Sequence, residues 1–204
     1  MRVLHPVRSQ EAPLDAGTWI RPDGSAEAFQ VHGLGDGRAV VRVEGDGPAL
    51  WHLVLDPDGR PERLQVRIRH DGRTVDATLT FFEDEVLIWR RGAAPPSEAI
   101  ALAPGTRLLW PPIAGRERCL AGLSAAAPAR VPCLLIVVVP PDRGGLTARP
   151  VELAVARTAD GVRLATPGLP EMALAVDAAG RLAGWVEGGA AARRHDPAHP
   201  GDTA

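Results

Sequence analysis

The chain of 204 residues has no lysine, no asparagine and no tyrosine, and it carries only 3 phenylalanines and 2 cysteines. Without lysine there is no Schiff-base nucleophile and no phosphate-loop lysine, which excludes aldolase-like, pyridoxal-phosphate-dependent and Walker-type chemistry. All 23 basic residues are therefore arginines, a skew that reads as high-GC codon usage. Planar and always charged, arginine still pairs bidentately with carboxylates or phosphates. An excess of one charge sign is missing too: 23 basic against 25 acidic side chains leave a net charge of −2, which argues against nucleic acid or an anionic membrane surface as partner. Cys119 and Cys133 have neither metal-pair nor CxxC spacing. They read as free thiols of a reducing compartment, Cys133 in the core. No apolar stretch of secretory type follows Met1-Arg2-Val3-Leu4-His5-Pro6, so the expected location is the cytoplasm. The longest apolar run, VPCLLIVVVPP at 131–141, is far shorter than the roughly 20 residues of a membrane span and reads as a buried strand.

What is present is a series of strands. Runs rich in β-branched and apolar residues occupy 26–32, 38–44, 48–55, 61–70, 73–82, 85–91, 97–102, 106–110, 132–139, 149–157, 161–166, 171–177 and 181–187. Between them lie turn sequences such as Gly35-Asp36-Gly37, Asp56-Pro57-Asp58-Gly59 and Asp71-Gly72, where glycine supplies the positive φ of tight turns. The pattern predicts an all-β fold: one large antiparallel meander rolled into a half-barrel or β-roll. At most one short helix fits, within 114–127, stopped by Pro128. A single domain is expected over 1–187, and 188–204 (GGAAARRHDPAHPGDTA), with little to bury, reads as a disordered tail.

The Asp71-Gly72 hairpin can be assigned a register. Pairing outward from a two-residue type I′ turn sets Ile68 opposite Val75, Val66 opposite Ala77 and Leu64 opposite Leu79, with Arg67 opposite Asp76 and Gln65 opposite Thr78 on the other face. A one-residue slip mixes apolar with polar partners at every rung. Extending the pattern places Trp51 and Leu53 beside Val66 and Leu64, and His52 beside Gln65. It also sets Phe81 opposite Val86, Leu79 opposite Ile88, Trp89 next to Thr78, and Arg91 near Asp76.

Chemical motifs mostly dissolve into ordinary readings. Gly33-Leu34-Gly35-Asp36-Gly37 lacks dinucleotide-fingerprint spacing and a following helix, so it reads as a turn. His195 and His199 have i, i+4 spacing, yet Pro197 and Pro200 forbid the helix that would aim both at a metal. Glu83-Asp84-Glu85 reads as a solvated hairpin tip, and no serine sits in a Gly-x-Ser-x-Gly elbow. Cys119 after Arg116-Glu117-Arg118 is a candidate low-pKa thiol, with His52 or His70 as its base. None of these outweighs its structural reading, and neither a metal nor another cofactor is expected.

The second face of the sheet is different, because it mixes polar residues with Trp89, Leu50 and Val54, whereas an open antiparallel face should be polar throughout. WHLVLDPDGRPERLQVRIRHDGRTVDATL at 51–79 and APGTRLLWPP at 103–112 resemble the glycolipid-binding family of bacterial proteins. The resemblance covers about half the chain. It implies a rolled antiparallel sheet, related in shape to lipoprotein-carrier half-barrels, with room for a lipid-like molecule. Read together, these features point to non-enzymatic binding of an apolar or amphipathic small molecule. Trp89 and Trp110 are expected as apolar walls, and His52, Arg67 and Asp76 as head-group contacts. The alternatives are a protein-interaction or self-association module, such as a homodimer, using the same mixed face, and an enzyme pairing Asp76 with His52 as acid and base.

Overall fold

A computed structural model describes residues 12–45, 49–91, 97–120, 129–159, 161–176 and 182–195. The fold is all-β. The first strands are β1 (Ala12–Ile20), β2 (Ala26–Gly33), β3 (Ala39–Gly45), β4 (Ala49–Leu55), β5 (Pro61–His70), β6 (Arg73–Phe81), β7 (Glu85–Arg91) and β8 (Ser97–Ala101). After β9 (Arg107–Leu109) and the one α-helix among the described residues, α1 (Ile113–Leu120), come β10 (Ala129–Val138), β11 (Leu146–Thr158), β12 (Gly161–Ala165), β13 (Met172–Val176), β14 (Leu182–Glu187) and β15 (Ala190–His195). They form one 15-stranded sheet in the order β8-β7-β6-β5-β4-β3-β2-β1-β15-β14-β13-β12-β11-β10-β9. The first and last strands thus pair in the middle of the sheet, and its two edges, β8 and β9, follow one another along the chain. All pairings are antiparallel except β9 with β10, which run parallel.

The paired registers are those the alternation predicts. Val66 faces Ala77, Leu64 faces Leu79 and Arg67 faces Asp76; His52 faces Gln65, and Thr78 faces Trp89. Asp71 and Gly72 have φ of 48° and 75°, the doubly positive pair that a type I′ turn demands. Gly33-Leu34-Gly35-Asp36-Gly37 closes the β2–β3 hairpin, with the Gly37 amide donating to the Leu34 carbonyl at 3.1 Å.

Inward-facing residues of both arms meet in one core. Trp51 stands edge-on to Trp110 with ring centroids 5.3 Å apart, and Trp19, Trp110, Leu53, Leu64 and Leu79 are wholly buried. The sheet rolls far enough that β6 and β7 touch the β10–β11 hairpin. Arg90 Nε donates to the Leu146 carbonyl at 3.2 Å, and a Cβ on Gly145 would sit 2.9 Å from Val75 Cβ. Four consecutive residues of β10, Cys133 through Ile136, are buried. That strand is covered on both faces, as its unbroken apolar run implies.

One expectation needs correction: the sheet does not stop at 187, because β15 lies between β1 and β14. β1 precedes the first run that reads as a strand, 26–32. β15 lacks the β-branched signature, and each of the two strands is paired on both sides. The tail beyond 195 and helix positions 121–127 lie outside the described residues. Among the described residues, no helix is long and apolar enough to cross a membrane.

Candidate functional site

Outward-facing residues of β2 to β8 line up in cross-strand rows. One row runs Gln30, Arg42, His52, Gln65, Thr78, Trp89, Ser97. Beside it runs Leu50, Arg67, Asp76, Arg91, and on the other side Val40, Val54, Arg63, Thr80, Leu87, Ala99. The face is buried at its β2–β4 end, where His32, Val40, Arg42, His52 and Val54 are nearly inaccessible. It is open at the β7–β8 end, where Trp89 is 54% and Leu87 42% exposed.

Four of the five expected site residues share this face, and Trp110 does not. Trp110 is in the core against Trp51, so it cannot form the second wall of a groove with Trp89, whose neighbour Ile88 points inward. Trp110 follows a three-residue strand, too short for alternation to show which face it takes. His52 and Trp89 are three strand spacings apart, roughly 14 Å. A single elongated molecule lying across the strands can reach both.

Arg67 and Asp76 form a forked pair, with Nε 2.6 Å from Oδ1 and Nη2 3.3 Å from Oδ2. The Asp76 carboxylate accepts both bonds and raises the Arg67 pKa. Because both side chains are about one-third exposed, the pair adds only about 0–1 kcal/mol to stability. Arg91 occupies the other cross-strand position beside Asp76. His52 and Asp76 lie two strand spacings apart, roughly 10 Å, beyond the reach of an acid–base pair.

The interior holds a second polar cluster that the sequence reading missed. Glu27 is 4% exposed and receives the Ala114 amide of the first turn of α1 at 3.1 Å and Arg21 Nη2 at 2.9 Å. Burial pushes its pKa up, against the pull of those donors. Arg116 donates to the Trp110 carbonyl and to Glu187 Oε2 at 2.6 Å, and lies 5.0 Å over the Trp185 ring. This network ties α1 to β2 and β14, and its place inside the core marks it as structural. The available signal was Glu27 standing in register with Phe29 and Val31 on an otherwise apolar stripe.

Arg116 therefore faces the core, and the Cys119 side chain lies outside the described residues. Cys133 is buried, its pKa pushed up to about 12 by that burial, so it is no nucleophile. Among the described residues, no group of three or more His, Cys, Asp or Glu side chains is placed to hold a metal ion; His199 lies outside those residues.

No family model matches the chain and no curated protein matches it. Two solved structures are similar to it. A DUF1089 family protein from Pseudomonas aeruginosa has 15% identity and a TM-score of 0.47, covering 88% of this chain and 94% of that one. A beta-barrel-like protein of the domain of unknown function DUF1849 from Brucella abortus has 12% identity and a TM-score of 0.47, covering 94% of this chain and 97% of that one.

Proposed function

We propose that the chain is a non-enzymatic binding protein that lays an amphipathic, lipid-like small molecule across the outer face of β4 to β8. The observation that carries this reading is Trp89: a large ring, about half exposed, stands beside Leu87 in a row that continues through Thr78 and Gln65. An exposed indole offers apolar area together with one hydrogen-bond donor. The Arg67–Asp76 fork, one row away, offers charge-assisted bonds to a head group. The interior is filled by its own tryptophans and leucines, which favours a site on the outside of the roll. The resemblance of 51–79 and 103–112 to the glycolipid-binding family favours the same ligand class.

The test is a tryptophan-fluorescence titration with octyl glucoside below its micelle concentration. The expected result is a saturable blue shift that disappears in Trp89→Leu. A flat titration, or a shift that survives in Trp89→Leu, overturns the proposal.

A second reading has its own support. β8 ends the strand order, so one side of Ser97–Ala101 has no strand beside it among the described residues, next to exposed Leu87 and Trp89. Such an edge invites strand addition by a partner or a second copy. Light scattering that gives a dimer mass in the wild type and a monomer mass in Trp89→Glu favours this reading. A concentration-independent wild-type monomer removes its homodimer form.

A further inference from the structure

On the other arm of the sheet, the β10–β11 hairpin and the end of β12 enclose an open groove of about 590 Å³, within the roughly 300–1,000 Å³ range of small-molecule sites. It arises because β11 changes sides. Leu146, near one end, and Leu153 and Val155, near the other, are all buried although they belong to opposite faces, and the segment between them is left open. Pro150, Val151, Ala154 and Pro167 supply the apolar lining.

Three groups give the groove its polarity. Arg130 is paired with Glu152, so those two charges cancel. Arg149 has no carboxylate partner among the described residues. Its Nη2 lies over Gly168, 3.3 Å from where a Cβ would be, and Gly168 has a φ of 83°, a conformation in which any other residue is strained. The backbone thus keeps open the space that the guanidinium occupies.

We infer that this groove is a binding site for a monocarboxylate with a short apolar chain. One uncancelled guanidinium matches one negative charge, and its planar fork matches the two oxygens of a carboxylate. The apolar chain then lies on Pro150, Val151, Ala154 and Pro167. The site is on a different part of the sheet from Trp89 and stands independently of the function proposed for that face.

The experiment is isothermal titration calorimetry of Trp89→Leu, which lacks the ring proposed to bind amphiphiles on the outer face, with sodium octanoate, repeated with octanol and with inorganic phosphate. The expected result is one-to-one octanoate binding with a dissociation constant of about 0.1–1 mM. Octanol and phosphate, which each lack half of the recognised chemistry, should give no saturable heat. Arg149→Gln, a change at an exposed side chain, should weaken octanoate by about tenfold, the worth of one charge-assisted pair. No octanoate binding to folded Trp89→Leu, equal binding by octanol, or unchanged affinity when Arg149→Gln is added to Trp89→Leu overturns the site.

Discussion

Glu27 shows how a single buried carboxyl makes stability depend on pH. Its folded-state pKa is raised, so below that value the folded chain holds a proton that the unfolded chain releases until the pH reaches the ordinary 4.5. The Glu27 share of stability therefore grows as pH falls through the raised value and levels off below 4.5. Glu27→Gln keeps an acceptor for the Ala114 amide and removes the buried charge. Its stability at neutral pH should stay within about 1 kcal/mol of wild type, and its profile should be flatter between neutrality and the ordinary carboxyl range; urea unfolding at several pH values measures both. The two tryptophans that the sequence reading set side by side should also separate. Trp110→Ala should cost about 3–5 kcal/mol for a vacated core site, and Trp89→Ala less than about 0.5 kcal/mol, as expected of an exposed site.

At the scale of the elements, Gly145 is the point where the β10–β11 hairpin meets β6. It has a φ of 72° and no room for a Cβ beside Val75, so Gly145→Ala should destabilise the fold by about 1–3 kcal/mol through backbone strain and overpacking together. Thermal unfolding checks this, with Gly59→Ala as the control, since Gly59 has positive φ but open space and so should show the strain alone. The β4–β7 registers were legible in the sequence because Leu64, Val66, Ile68, Val75, Ala77 and Leu79 alternate without interruption around an Asp-Gly turn. β1 and β15 were not, since Ala12-Pro13-Leu14-Asp15-Ala16-Gly17 is rich in turn residues and Ala190-Ala191-Ala192-Arg193-Arg194-His195 belongs to a stretch with little to bury. Local propensity misleads where a strand is held by two neighbours instead of by its own composition. The outer-face part of the candidate site was legible for the same reason as its register. The carboxylate groove was not, because it depends on where a long strand changes sides.

For the whole molecule, β15 joins the two arms of the sheet by pairing with both β1 and β14. Removing residues after 187 leaves both partners with unsatisfied edges in mid-sheet. The truncated chain should lose cooperative unfolding and aggregate, whereas a chain ending after 195 keeps the wild-type transition in circular dichroism. The same rolling that fills the interior turns Trp89, Leu87, Thr78 and the Arg67–Asp76 pair outward onto one continuous face, and the proposed function depends on that face taking a ligand. The most direct measurement is a native mass spectrum of the purified chain beside Trp89→Leu, with organic extraction to identify any bound mass. One amphiphile per wild-type chain and none on the variant is the expected result. An empty wild type that stays empty after incubation with octyl glucoside, or the same bound mass on both proteins, contradicts it.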